Sequence, residues 1–255
     1  MTRTPRPLLD ALVFSNLWMA TAAGALVAAA SRAMGTDIRP EAVGLAFAGT
    51  LVVYNIDRLR DLHRDQHASR DRSAFVAEHK SQLSVLTGAA AVASLYFGAR
   101  VGMLATLMLL PVLGVGLFHR RLKRFENAKI LYIAVSWVCV GFGLPAVLAT
   151  GVQDLFWAAS ILTATMLANV IAFNVREEEA HIERVRRPGT LQVARVCAGI
   201  GVLLGALAPS PSGALVAIPL ATLLALAGYR PTERFGLFFV DGALLVGSLS
   251  AIALT

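Results

Sequence analysis

The chain has 255 residues, 56% hydrophobic and only 15% charged, with 23 Lys and Arg against 16 Asp and Glu and a mean hydropathy of +0.66. A water-soluble domain carries about a quarter charged residues, so an ordinary soluble enzyme is excluded. The formal charge of +7 would suit a nucleic-acid partner if it lay on a soluble face; here the basic residues sit between apolar runs, where they orient helices in a bilayer, and no nucleic-acid partner is expected.

The N-terminal residues Met1 to Arg6 are basic and lead into an apolar run from Leu8 to Ser31. That run is longer than the core of a cleavable signal and lacks a clear cleavage site, so it reads as a retained membrane helix. Nine spans follow from the apolar runs, at about 8–31, 41–57, 82–99, 101–118, 130–150, 155–173, 191–208, 213–228 and 235–254. The second and eighth fall short of the roughly 20 residues a perpendicular helix needs; the second is completed if it continues as helix into its polar C-terminal end. Tight turns are expected at Gly98-Ala99-Arg100 and at Pro209-Ser210-Pro211-Ser212. The expected fold is an all-α integral membrane protein of about nine transmembrane helices, a single polytopic domain over 1–255. Its longer connections lie at about 58–81, 119–129, 174–190 and 229–234.

The basic residues set the expected topology. All but Arg32, Arg39 and Arg100 of the 23 Lys and Arg fall on the side of the N-terminus and of the loops that follow even-numbered spans. Such a bias places that side in the cytoplasm, in the inner membrane if the source is a bacterium.

The same loops hold most of the acids. In Tyr54-Asn55-Ile56-Asp57-Arg58-Leu59-Arg60-Asp61-Leu62-His63-Arg64-Asp65, Asp57, Asp61 and Asp65 recur every four residues and would form one stripe on a helix. Like charges at this spacing repel. Either Mg²⁺, which favours carboxylates together with phosphate oxygens, or the interleaved Arg58, Arg60 and Arg64 must offset them. A second cluster, Phe173-Asn174-Val175-Arg176-Glu177-Glu178-Glu179-Ala180-His181-Ile182-Glu183, repeats the outline four spans later. Both begin aromatic-Asn-aliphatic, and Glu179 and Glu183 are again four apart. Two similar helical halves facing one site are expected. The third cluster, Phe118 to Lys129, is dominated by cations that suit either an anionic leaflet or a departing diphosphate.

On these motifs the chain resembles the UbiA-type membrane prenyltransferases. Their first motif, Asn-Asp-x-x-Asp-x-x-x-Asp, falls on Asp57-Arg58-Leu59-Arg60-Asp61-Leu62-His63-Arg64-Asp65, with Asp57 for the initial Asn and Arg58 for the next Asp. Their second, Asp-x-x-x-Asp with Thr-Leu shortly after, falls on Glu179-Ala180-His181-Ile182-Glu183 and Thr190-Leu191. A segment between helices four and five looks like Leu122-Lys123-Arg124, with Asn127 and Lys129 close to register. The resemblance implies a central cavity open to the cytoplasmic face and Mg²⁺-dependent transfer of a prenyl group from an isoprenyl diphosphate to an acceptor, often aromatic. Asp57, Asp61 and Asp65 would hold one metal group, and Glu179 and Glu183 the other. Asp61, Lys123 and Glu183 would stand at the catalytic centre, with Asn55, Arg58, Arg64, Arg124, Asn127, Asn174 and Arg176 around the diphosphate. A terpene cyclase on the same scaffold and a degenerate lipid-binding or transport relative are the alternatives. The CDP-alcohol phosphatidyltransferases want an Asp-Gly start and an upstream Ala-Arg pair, neither of which occurs near Asp57.

Asn16, Asn169 and Asp241 lie inside spans, are costly in lipid, and should face the bundle interior as pocket or interhelical hydrogen-bonding groups. Gly98, Gly114, Gly116, Gly141, Gly143, Gly201 and Gly205 suit close helix packing. Cys139 and Cys197 read as small hydrophobes, not as a disulfide, and His63 with His67 lack a third zinc ligand.

Overall fold

The computed structural model describes residues 7–65, 69–118, 126–149, 155–180, 189–230 and 232–255, and no strand occurs among them. The helices are α1 (Pro7–Phe14), α2 (Leu17–Ala33), α3 (Pro40–Asp65), α4 (Arg70–Glu78), α5 (Lys80–Val101) and α6 (Met103–Phe118). Then come α7 (Glu126–Val138), which runs through a π-helical turn (Cys139–Gly143) into α8 (Leu144–Leu148), α9 (Leu155–Ala180) and α10 (Thr190–Leu207). A 3₁₀ turn (Ser212–Val216) starts α11 (Ala217–Ala227), and α12 (Glu233–Phe235) leads through a second π-helical turn (Gly236–Val240) into α13 (Asp241–Leu254).

Within the described residues every expected span falls largely on helix, but not all are alike. Among the described residues, six helices are long and apolar enough to cross a membrane, and a seventh if α1 and α2 count as one bent span. That bend, 64°, occurs at Asn16, which takes the left-handed backbone conformation with φ 63°, one that asparagine tolerates better than most residues. The remaining two, Met103–Gly114 and Ser212–Ala227, are shorter apolar helices.

The stretch 58–81, expected as a connection, is largely helical. No glycine or proline interrupts the chain from Leu51 to Ala68, and Asp57 and Arg60 form an i,i+3 ion pair at 3.7 Å, so α3 continues past Asn55 to Asp65. The connection 174–190 is likewise shortened, because α9 runs to Ala180.

Most helices adjacent in sequence pack on one another, α6 packs on α5 and α8, and α13 packs against both α2 and α11, which brings the last helix onto the second. The core is built from alanine and aliphatic side chains, with Ala22, Ala23, Ala29, Ala30 and Leu26 of α2 inaccessible. Small residues let helix backbones approach where no hydrophobic effect drives them together. A Cβ added at Gly201 would meet Pro219 at 2.8 Å, one at Gly205 would meet Val216 at 2.7 Å, and one at Gly141 would run into Leu26. Gly143 is tight against Met108 and Gly98 makes ordinary contact with Thr106, whereas Gly114 faces open space and is not a packing glycine; the surroundings of Gly116 lie outside the described residues. Both cysteines are free and half-buried. On the outside, Leu95, Tyr96, Met103 and Leu104 are among many exposed apolar side chains, a surface that suits lipid and not water.

Candidate functional site

A cavity of about 660 Å³ lies among α2, α3, α5, α6, α7, α9 and the start of α13, within the range of small-molecule sites. Its walls are mainly apolar, and its polar groups gather where α3 passes Tyr54, where α4 begins, where α7 begins and where α9 passes Asn174. Asp57, Arg58, Ser69, Arg72, Lys129 and Asn174 all line it there, with Asn16, Tyr54, Tyr132, Asn169 and Asp241 alongside.

α3 contributes most because the helix persists through its polar end. Asp57 stands between two guanidinium groups, Arg58 at 3.8 Å and Arg60 at 3.7 Å. Asp61, one turn further on, is 1% exposed and lies 3.8 Å from Arg60; it is not part of the cavity wall. The arginines interleaved in the stripe thus supply counter-charge to both acids. Asn55 is also buried; its side-chain oxygen accepts a 2.7 Å hydrogen bond from Asn16, while its Nδ2 has no hydrogen-bond partner.

The far wall is held by polar contacts between helices. Trp137 Nε1 donates to the Tyr54 hydroxyl at 3.1 Å, which joins α7 to α3. Asn169 Nδ2 donates at 3.3 Å to the carbonyl of Val240, in the π-helical turn before Asp241. Asp241 is 2% exposed and lines the cavity. Asn16, Asn169 and Asp241 therefore face the interior, as polar groups inside apolar spans should.

Arg72 and its surroundings carry a signal that spacing did not give. Arg72 is 3% exposed; its Nη2 donates to Ser69 at 2.7 Å and its Nε lies 3.8 Å from Glu233. Arg234 adds a 3.0 Å hydrogen bond to Asp10 and a 3.7 Å ion pair to Asp71. Together they fasten α4 between α1 and α12 beside the cavity. Arg72 read only as a topology-setting charge in the sequence, and Lys129 as the last residue of the third, cationic cluster; both line the cavity.

Of the thirteen expected site residues, Asp57, Arg58 and Asn174 line the cavity, and Asn55 and Asp61 are buried on α3. Asp65 and Arg64 on α3, Asn127 on α7, and Arg176 and Glu179 on α9 have helical backbones, with side chains outside the described residues. Lys123, Arg124 and Glu183 lie outside the described residues altogether, as do His67 and the side chain of His63. Among the described residues no three His, Cys, Asp or Glu side chains gather as a metal site. Asp57 and Asp61 nonetheless offer the hard oxygen donors that Mg²⁺ takes.

Comparison with known proteins finds no matching family model, no matching curated protein and no matching solved structure.

Proposed function

We propose that the chain is an integral membrane prenyltransferase that moves a prenyl group from an isoprenyl diphosphate to an acceptor, aromatic or quinone-precursor-like. One observation carries the reading: a largely apolar cavity between membrane-type helices whose polar end is lined by Asp57, Arg58, Arg72 and Lys129. An amphiphile with a compact anionic head and a long hydrocarbon tail matches that division. In this reading nine spans form two similar halves around the cavity, with the N-terminus and the polar end in the cytoplasm. Asp57, Asp61 and Asp65 from one half and Glu179 and Glu183 from the other would hold Mg²⁺. The metal, when bound, supplies positive charge to the departing diphosphate. Arg58, Arg72 and Lys129, with Lys123, Arg64, Arg124 and Arg176 from the neighbouring segments, neutralise the same charge. Asn55, Asn127 and Asn174 offer amides to its oxygens. The allylic C–O bond to the diphosphate breaks, the apolar walls exclude water from the cation that results, and the acceptor bonds to that cation and releases the proton it carried to the departed diphosphate.

A second reading has its own observation. Arg58 stands 3.8 Å from Asp57, where the resemblance expects another acid. A fixed cation there suits a relative that binds the lipid diphosphate without ionising it. The two separate in one assay: purified protein with Mg²⁺, labelled farnesyl or geranylgeranyl diphosphate and a panel of phenolic acceptors. Diphosphate release that is lost in Asp61→Ala and Glu183→Ala supports the enzyme. Release that survives both substitutions unchanged removes the site assignment, and binding without release favours the second reading.

A further inference from the structure

The cavity runs well past its polar end, and one residue stands out along the way. On α3, Leu45, Gly49, Val53 and Asp57 follow at four-residue intervals, and all four line it. At 1.5 Å per residue, Gly49 lies about 12 Å along the helix from Asp57 and Leu45 about 18 Å. Leu95 and Gly98 of α5, Leu109 and Leu113 of α6 and Ile133 of α7 add apolar wall, with the hydroxyls of Ser94 and Thr106 among them, the latter bonded to the carbonyls of Gly98 and Gly102.

Gly49 differs from the glycines at the helix contacts. A Cβ added at Gly201, Gly205 or Gly247 comes within 2.8 Å of a neighbouring helix, but one at Gly49 meets no heavy atom within 4 Å. It has no positive φ and sits in mid-helix, where glycine is about 1 kcal/mol worse than alanine. Neither a turn nor helix packing requires it. What its missing side chain leaves is room in the cavity.

We infer that Gly49 sets the length of hydrocarbon tail the cavity accepts. The inference rests on the diphosphate reading above: a head held at Asp57, Arg58, Arg72 and Lys129 sends its isoprenyl chain along α3 and past Gly49. The preferred ligand is therefore an isoprenyl diphosphate with a tail longer than about 12 Å, the axial distance between the two positions, and not a five-carbon unit. A larger side chain at position 49 closes the passage to long tails and leaves short ones untouched.

The test is equilibrium binding in detergent of three probes: inorganic diphosphate and the non-ionisable thiolodiphosphate analogues of dimethylallyl and geranylgeranyl diphosphate. The proteins are the native chain, Gly49→Ala and Gly49→Leu. The native chain should bind the geranylgeranyl probe more tightly than the dimethylallyl probe, and Gly49→Ala should match it. Gly49→Leu should weaken the geranylgeranyl probe about tenfold or more, equivalent to about 1.4 kcal/mol, while the other two stay within about twofold. Equal weakening of both tailed probes, or of neither, overturns the inference and leaves the diphosphate site standing. Failure of the native chain to bind any of the three overturns the diphosphate reading and the inference with it. Should Gly49→Leu not fold, Gly49→Val takes its place, with the same pattern at smaller amplitude.

Discussion

Asn16 combines two things that a substitution can separate. Its backbone is left-handed, and its side chain donates to Asn55 within the protein. Asn16→Gly keeps the conformation and removes the bond, a loss of about 1 kcal/mol. Asn16→Ala removes the bond and also forces a Cβ into the left-handed region, for a total of about 2–3 kcal/mol. Unfolding in detergent measures both; equal losses would show that the backbone at the bend carries no strain. Gly247 makes a second case. A Cβ there would lie 2.6 Å from the Cα of Ile218, and backbone cannot rotate aside as a side chain does. Gly247→Ala should destabilise by about 1–3 kcal/mol, the usual penalty of overpacking, in the same measurement. At this scale the sequence was legible where polarity within an apolar run made the choice: Asn16, Asn169 and Asp241 are buried, where other helices supply polar partners. It was not legible at Gly114, since the partner a glycine leaves room for belongs to another helix.

The polar end of the bundle is organised by α4 and α12, which the sequence did not distinguish from connections. Their residues are charged and short of apolar periodicity, and what makes them elements is tertiary: Arg72 reaches Glu233, and Phe75 packs against Phe14 with ring centroids 5.7 Å apart. Arg72 is buried and Arg234 is about a third exposed, so their substitutions should behave differently. Arg72→Ala leaves Glu233 without a buried partner and should lower stability by about 3 kcal/mol. Arg234→Ala should lower it by about 1 kcal/mol or less. Salt separates them further, since screening acts mainly on exposed charges. Raising the ionic strength should shrink the Arg234→Ala effect and leave that of Arg72→Ala nearly unchanged; similar salt responses would contradict this division. The stripe on α3 was legible for the opposite reason, because a four-residue spacing sets a helical face wherever the helix continues.

For the whole molecule, occupancy of the cavity should register as stability. A ligand that binds only the folded chain adds about 2.7 kcal/mol at a hundred times its dissociation constant. Thermal unfolding with geranylgeranyl thiolodiphosphate should therefore shift upward, and the shift should vanish in the double substitution Arg72→Ala, Lys129→Ala. A shift that persists unchanged would mean that the head does not sit at that end. The overall plan was largely readable, since each apolar run became helix and the basic residues fell between the runs. The cavity was not, because its lining draws residues from nine helices whose relative rotation no one helix specifies.

The packing of α13 against α2 sets an order of events during synthesis. Trp18 of α2 lies beside Gly242 of α13 and stacks on Phe238, in the π-helical turn that leads into α13, with centroids 5.4 Å apart. α2 is made early, but the helix that covers this flank is completed about 220 residues later, on the order of 10–40 s at ~5–20 residues per second. Throughout that interval the nascent bundle is an open sleeve, because the face of α2 that the last helix covers lacks that cover. The final helix is thus the seam of the protein, and an arrested chain that lacks it is left unclosed along its length, not merely one helix short.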